Sequence, residues 1–234
     1  MQMDIIARIR SDFPSKFGIP RQSGLAKDLI STIVFEREYR DENALRGIEQ
    51  FSHLWLIWVF SANEGAGWSA TVRPPKLGGN VRMGVFATRS PFRPNPIGLS
   101  SVRLEGVEKV SGLGTVLRVS GADLMDGTPI LDIKPYIPAS DLHADATGGF
   151  SEPAAKHHLI VDFPQKLLEI VPEDKRTALI EILAQDPRPG YQHDPERVYG
   201  FPFANLELRF RVSDEVLTVT EVNRTAPRAS VHTS

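Results

Sequence analysis

Two arginines lie in a segment that prolines make rigid, Thr88 to Ser101, with the sequence TRSPFRPNPIGLSS. Arg89 and Arg93 each carry a planar, permanently charged guanidinium, which can hold a carboxylate or a phosphate through two parallel hydrogen bonds. Because the prolines fix several backbone dihedrals, little conformational entropy is lost when such a segment binds a ligand. The segment therefore predicts an anion-binding loop. Ordinary surface arginines that increase solubility are the alternative interpretation.

A second rigid loop with fork-shaped donors lies near the amino terminus, in IPRQSG, residues 19–24. Pro20 fixes one backbone dihedral, and Arg21 and Gln22 follow it with side chains that donate hydrogen bonds. Taken alone, the loop is explained equally well as a solvated connection.

Three carboxylates lie near predicted strand ends in GADLMDGTPILDIKPY, residues 121–136. They are Asp123, Asp126 and Asp132. The turn MDGT explains the second of them without any function, since aspartate and glycine favour turns.

Asp132 also belongs to an alternating polar pattern with Lys134 and Tyr136. If Leu131 and Ile133 face the core, these three polar residues share the opposite face of the strand. That face is either a solvated surface or the wall of a pocket.

Several classes of protein are excluded or disfavoured by composition. The 234 residues include no cysteine, which excludes disulfides and thiolate metal sites. The six histidines show no metal-ligand spacing, and His53, at the head of an apolar strand, is interpreted as structural. No phosphate-binding glycine motif, membrane-spanning run or signal peptide is recognised, so we predict a cytoplasmic protein without a metal.

The elements that must position these residues are mostly strands. They are predicted over residues 3–10, 29–36, 53–62, 81–88, 100–110, 114–124 and 128–137. The apolar run at 53–62 is predicted to be central, and a short helical segment near 41–52 to be capped by Asp41. Short strands separated by turn signals indicate an antiparallel barrel or sandwich.

The character of the chain changes after Ile137. Residues 141–158 read as a linker, and a helix is predicted between Pro172 and Pro187. Two strands with alternating apolar residues follow, so residues 159–222 are predicted as a small α+β unit, with a flexible tail at 223–234.

Several motifs together resemble one family, over nearly the whole chain as far as Arg211. They are IPRQSG, FSHLWLIWVF, VRPPKLGGN, RMGVFATRSPFRPNPIGLS, DLMDGTPILDIKPY and AQDPRPGY. The chain resembles the TsaA/TrmO-type (YaeB-like) tRNA N6-threonylcarbamoyladenosine methyltransferases. The resemblance implies a mainly β fold: a single-sheeted antiparallel β-barrel methyltransferase domain, residues 1–140, followed by the small α+β C-terminal domain.

The resemblance also implies S-adenosyl-L-methionine as cofactor and assigns residues to it. These are Pro20, Arg21, Gln22, Arg89, Leu99, Asp123, Leu124, Met125 and Asp126. Where this family often has His-Gln after the apolar strand, this chain has Ser61 and Ala62, which are expected to contact the cofactor through backbone atoms.

The substrate implied by the resemblance is the threonylcarbamoylated adenosine at position 37, in the anticodon loop of tRNA. Asp132 and Tyr136 are candidates for the proton acceptor, since the acceptor nitrogen must lose a proton. Residues expected to bind the substrate are Arg73, Lys76, Arg82, Phe92, Arg93, Lys134, Arg188 and Tyr191. The family also implies a homodimer. The alternatives are a small-molecule methyltransferase or hydrolase on the same barrel, and a non-enzymatic RNA-binding barrel.

Overall fold

The structure is a computed structural model, and it describes residues 2–20, 23–24, 28–74, 77, 79–151, 158–188 and 194–225. The first part of the chain is built from β1 (Ala7–Arg10), β2 (Ile30–Phe35), β3 (His53–Val59), β4 (Thr71–Val72), β5 (Met83–Gly84), β6 (Ile97–Val110), β7 (Gly114–Ser120) and β8 (Pro129–Pro135). Six of these form a closed antiparallel barrel in the order β1–β2–β7–β6–β3–β8, and β4 pairs with β5 outside it.

The barrel interior is filled by alternate residues of its strands, as a half-buried strand requires. Ile9, Ile33, Leu54, Leu56 and Leu117 are completely buried in one cluster. The apolar β3 lies between β6 and β8, as predicted for the central strand. This strand ends at Val59, three residues before the end predicted for it. Residues 61–63 form a short 3₁₀ turn instead.

Two local predictions for the barrel were wrong. Of residues 81–88, only Met83 and Gly84 form a strand, and a 3₁₀ turn follows at Val85–Ala87. In β8 the pairing with β3 shifts by one residue, so that Ile57 lies opposite Asp132 while Trp58 lies opposite Ile130. The extra residue of this bulge is Leu131, which has no partner in β3. Ile130 and Ile133 therefore face the core together, and Leu131 does not face it with Ile133.

The short turns before β3 follow the sequence prediction. Residues 42–45 form a 3₁₀ turn, and the side chain of Asp41 accepts a hydrogen bond from the backbone N–H of Asn43 over 2.9 Å, as expected of a cap. Nδ1 of His53 lies 2.9 Å from Oγ of Ser52, a local hydrogen bond consistent with a structural histidine.

The rest of the chain contains α1 (Pro138–Asp141), β9 (Ile160–Asp162), α2 (Gln165–Leu168), α3 (Glu173–Ala184), β10 (Tyr199–Phe203), β11 (Leu206–Ser213) and β12 (Val216–Arg224). The four strands form a second sheet in the order β10–β11–β12–β9. Helix α3 buries Leu179 and Leu183 in its core, as the helical spacing predicted. The flexible tail was predicted to begin at residue 223. That boundary is wrong, since Asn223 and Arg224 belong to β12.

The loop between β1 and β2 packs against this second core. Phe13 is buried among its residues, and the ring of Phe201 lies so close to Gly18 that a Cβ on that glycine would come within 3.0 Å of it. Asp12 forms an ion pair with Lys175. The loop that leads to Pro20 is therefore held by the C-terminal sheet.

Candidate active site

A half-buried carboxyl group, that of Asp123, follows the end of β7. The indole N–H of Trp58 donates a hydrogen bond to Oγ of Ser100 over 3.0 Å, and Oγ lies 2.6 Å from Oδ1 of Asp123. An indole nitrogen can only donate, so the hydroxyl proton of Ser100 must point to Asp123. The chain Trp58–Ser100–Asp123 thus fixes the direction in which the carboxyl group faces.

Burial raises the pKa of Asp123, because removing a carboxylate from water penalises its charged form. The hydrogen bond from Ser100, backbone hydrogen bonds including one at Ser23, and the positive charge of Arg89 lower this pKa, but together by less than burial raises it. Such a perturbed, oriented carboxyl group is typical of a functional site.

Neighbouring residues of strand β6 face opposite sides of the barrel wall. Ser100 is 1% exposed and faces the barrel interior, whereas its neighbour Leu99 is 50% exposed on the outside. Gly98 lies directly opposite Trp58, and the indole ring occupies the space that a side chain at position 98 would need. This close approach is what allows the indole to reach Ser100.

The segment expected to wrap the cofactor is Asp123 to Asp126, and its residues differ in burial and contacts. Leu124 is buried in the barrel core, and Met125 is half-buried with its carbonyl accepting the hydroxyl of Thr128. The carboxylate of Asp126 accepts the backbone N–H of Ser11 over 3.1 Å. Of these residues, Asp123 carries the carboxyl group that Ser100 orients.

The rigid arginine-containing segment turns tightly before β6. The guanidinium of Arg93 donates to the carbonyls of Val85 and Thr88 over 3.1 and 2.7 Å. Both bonds come from Nη1, so this part of the Arg93 guanidinium binds the protein's own backbone instead of the expected phosphate. Arg89 is exposed, and its charge acts on Asp123.

A shallow groove lies on the outer face of β8, β3 and β6, with a volume of about 310 Å³. It is lined by Trp55, Ile57, Leu99, Lys134, Ser140, Asp141 and His143. Leu99 and Asp132 lie on opposite sides of Ile57 in the pairing, so all three belong to one row across the strands. The sheet thus brings Leu99 and Lys134, predicted for different ligands, into one groove.

The polar residues of β8 are partnered at this groove. Nζ of Lys134 lies 2.8 Å from Oδ2 of Asp132, while Oδ1 accepts the backbone N–H of Ile133 over 2.8 Å. The ring of Tyr136 packs on Trp55 with centroids 5.5 Å apart, and the indole of Trp55 donates to Asp141 over 3.0 Å. Asp132 and Lys134 therefore share one face, as predicted, although the bulge changes which apolar residues oppose them.

The turn after β3 is joined to the loop that precedes the expected cofactor contacts. Nζ of Lys16 donates to the carbonyl of Ala62 and to Oδ1 of Asn63, both over 2.7 Å, and Ser61 is half-buried in the same turn. Pro20 is buried at the end of this loop. Arg21 and Gln22 lie outside the described residues.

The remaining residues expected to bind the substrate differ in whether their side chains are exposed. Arg73 and Arg82 are exposed on the loop around β4 and β5, as is Phe92. Arg188 is 9% exposed and binds Asp186 through two nitrogens, each over 2.8 Å, so it is not available as the expected phosphate contact. Lys76 and Tyr191 lie outside the described residues.

Metal and membrane features were also sought in the parts of the chain that the structure describes. There, no three histidine, aspartate or glutamate side chains are grouped as metal ligands. None of the described helices is both long enough and apolar enough to cross a membrane.

Comparison with known families agrees with this architecture. The family model of the tRNA-methyltransferase O N-terminal domain matches residues 8–142, and that of the TrmO C-terminal domain matches residues 156–225. The chain belongs to the tRNA-methyltransferase O family. The resemblance noted in the sequence is therefore confirmed.

Individual relatives cover most of the chain. The tRNA (adenine(37)-N6)-methyltransferase of Escherichia coli strain K12 is 43% identical over 223 residues, which are 91% of this chain and 94% of the relative. RcsF of Pseudomonas aeruginosa PAO1, described as a putative S-adenosylmethionine-dependent methyltransferase, is 43% identical over 88% of this chain and 90% of its own. A crystal structure of TrmO from Pseudomonas aeruginosa covers 95% of this chain and 98% of its own, with a TM-score of 0.76 and 35% identity. These matches confirm the mainly β fold class.

Two residues of this candidate site were missed in the sequence. Trp58 and Ser100 were counted only as parts of predicted strands, yet together they orient Asp123. A signal was present at Ser100, because it occupies an inward position of its strand, between Gly98 and Val102. A hydroxyl at such a position requires a hydrogen-bonding partner.

Replacing Ser100 with alanine is expected to lower the free energy of unfolding by about 1–2 kcal/mol, because the buried indole N–H of Trp58 and the carboxyl of Asp123 both lose their partner. Denaturant unfolding measures this effect. Ser101→Ala, one residue along the same strand, is the matched control and should change stability by less than about 0.5 kcal/mol. Equal losses in the two variants would show that the chain Trp58–Ser100–Asp123 contributes nothing to stability.

Proposed function

We propose that this protein is an S-adenosyl-L-methionine-dependent methyltransferase that acts on N6 of threonylcarbamoyladenosine at position 37 of tRNA. The observation that carries the proposal is the oriented, half-buried carboxyl group of Asp123, whose pKa the charge of Arg89 lowers, in a chain of the tRNA-methyltransferase O family. The relative from Escherichia coli bears the name of an adenine-37 N6-methyltransferase, which supports the same acceptor atom.

The residues around Asp123 fit the chemical groups of this cofactor. A carboxylate oriented in this way can accept hydrogen bonds from the ammonium or the ribose hydroxyls. Arg89, exposed nearby, can hold a carboxylate, and Leu99 offers exposed apolar surface for an adenine ring. When bound, the cofactor supplies a methyl group on a positively charged sulfur.

The groove on the outer face of the barrel fits the acceptor nucleoside. We propose that Lys134 binds the threonyl carboxylate, and that Asp132 accepts the proton that the acceptor nitrogen must lose. The ion pair between Lys134 and Asp132 keeps both charged groups at the groove. Tyr136 remains the alternative proton acceptor, and its packing on Trp55 fixes its ring beside the same strand.

The organisation of the protein is part of this proposal. We assign the cofactor-binding domain to residues 1–140, the linker to 141–158 and the C-terminal domain from 159 onward. Cofactor contacts are proposed for Pro20, Arg21, Gln22, Ser61, Ala62, Leu124, Met125 and Asp126 beside those named above. We also propose that the protein acts in the cytoplasm as a homodimer.

A two-step experiment tests the activity. The protein is first titrated with S-adenosylmethionine by calorimetry, and then both are incubated with tRNA that carries threonylcarbamoyladenosine at position 37. We expect binding, followed by a gain of one methyl group in the mass of the modified nucleoside. Binding without methylation of tRNA would indicate a small-molecule methyltransferase, and RNA binding without cofactor binding would indicate a non-enzymatic barrel.

A further inference from the structure

The loop between β3 and β6 exposes aromatic side chains to an unusual degree. Phe86 is 75% exposed and Trp68 is 60% exposed, whereas most large apolar side chains of a folded domain are covered. Phe92, at 38%, lies in the same loop. We call residues 65–96 the aromatic loop.

Hydrogen bonds join the described parts of the aromatic loop, which leave out residues 75, 76 and 78. The backbone N–H of Ser69 donates to the carbonyl of Phe92 over 3.1 Å, and that of Val85 donates to the carbonyl of Ala70 over 3.0 Å. Arg82 donates to the hydroxyl of Thr71 over 2.9 Å. The exposed aromatic rings are therefore carried on a loop ordered by its own contacts, so that little entropy is lost when they bind.

Arg93 fixes the ring of Phe86 from one side. Its guanidinium carbon lies 5.6 Å from the centroid of that ring, within the range of a cation–π contact. The same guanidinium is held by the carbonyls of Val85 and Thr88. One face of the ring is thus supported by a cation, while most of the side chain stays open to solvent.

The charge of this region indicates its partner. Residues 65–104 contain six arginines or lysines and no aspartate or glutamate, although the whole chain has a net charge of −2. Exposed aromatic rings interleaved with cations in an acid-free stretch are suited to unpaired nucleotides, which present flat bases and a negatively charged backbone.

We propose that Phe86 and Trp68 are stacking platforms for unpaired bases of RNA next to the nucleotide that is methylated. This inference rests on the proposed function for the identity of the RNA. Arg73 and Arg82, exposed on the same loop, neutralise its phosphates. The arrangement assigns Arg93 a supporting role behind Phe86, and not a phosphate contact of its own.

Phe86→Ala and Trp68→Ala test the inference, with Phe86→Tyr as the conservative variant and Leu142→Ala, 64% exposed outside the loop, as the control. Affinity for an anticodon stem-loop RNA is measured by fluorescence anisotropy, and affinity for S-adenosylhomocysteine by calorimetry. Each alanine variant is expected to weaken RNA binding between about 5-fold and 100-fold. Phe86→Tyr and Leu142→Ala should stay close to the wild type, and cofactor affinity should be unchanged in all four.

Three results would overturn the inference. The first is RNA affinity within about 2-fold of the wild type in both alanine variants. The second is an equal loss in Leu142→Ala. The third is a changed oligomeric state in sedimentation with unaltered RNA affinity, which would assign the loop to a contact between copies. A wild type that binds the stem-loop but never methylates tRNA would refute the proposed function alone, because the stacking would still be visible in the variants.

Discussion

Asp123→Asn is expected to stabilise the protein at neutral pH while it removes most of the affinity for S-adenosylhomocysteine. Burial raises the pKa of Asp123, so the folded protein bears a cost for keeping this carboxylate ionised. An asparagine keeps an oxygen for the hydroxyl of Ser100 but carries no charge. We expect a gain of about 1 kcal/mol, or ~2–4 °C in the midpoint of thermal unfolding. The lost charge-assisted contact should weaken binding between about 10-fold and 100-fold.

The effect of Asp123 on stability has a definite dependence on pH. Its pKa in the folded state lies above the ordinary value of 3.8, so the folded state takes up the proton first as the pH falls. The stability cost is therefore fully present at pH values above the folded pKa, decreases as the pH falls from there, and is gone below the ordinary pKa of 3.8. The difference between Asp123→Asn and the wild type should close in acid. The positive charge of Arg89 lowers the pKa of Asp123, but by less than burial raises it.

Asp126→Asn is the matched control for the stability measurement. Asp126 belongs to the same segment, but the residue is exposed, and its carboxylate accepts a backbone N–H of Ser11. Its replacement should leave stability at or below that of the wild type. If Asp123→Asn bound S-adenosylhomocysteine as tightly as the wild type, Asp123 would have no part in the cofactor site.

The barrel could be predicted because its strands carry local signals. The predicted strands at 100–110 and 114–124 correspond to β6 and β7, which are joined by a turn at Gly112 and Gly114, two glycines with the positive φ that favours this residue. The run at 81–88 has the same apolar character but failed as a strand. In a closed barrel no edge remains to which it could add, and Phe86 is left exposed. The apolar pattern of a segment does not show whether the sheet has a free edge with which that segment could pair.

The site could be predicted only in part. Asp123 and Arg89 were identified through the family motifs, and Asp132 with Lys134 through alternation on a strand. The hydrogen bond between Ser100 and Asp123 joins residues 23 positions apart, and it depends on which residues face inward at the end of the barrel. Likewise, nothing in the types of Arg93 and Arg188 distinguishes a guanidinium held by its own protein from one facing solvent. Those distinctions come from tertiary structure.

Gly98→Ala is expected to destabilise the protein by about 3 kcal/mol and to weaken cofactor binding as well. A Cβ at this position would come within 3.0 Å of three atoms of the indole of Trp58, closer than carbon atoms approach in proteins. The indole is surrounded by the barrel core and by Phe60, whose ring centroid lies 4.3 Å away, so it has little room to move. Any displacement separates its N–H from Ser100.

Gly106→Ala provides a control on the same strand, since a Cβ there meets nothing within 4 Å and the backbone does not require glycine. Denaturant unfolding and calorimetry with S-adenosylhomocysteine should leave Gly106→Ala close to the wild type and Gly98→Ala impaired in both. Loss of stability with unchanged cofactor affinity would show that Trp58 fills space but does not orient Asp123. Loss of both stability and cofactor affinity would show that the indole of Trp58 helps to orient the carboxyl group of Asp123. Gly98 itself has no side chain with which to contact a ligand.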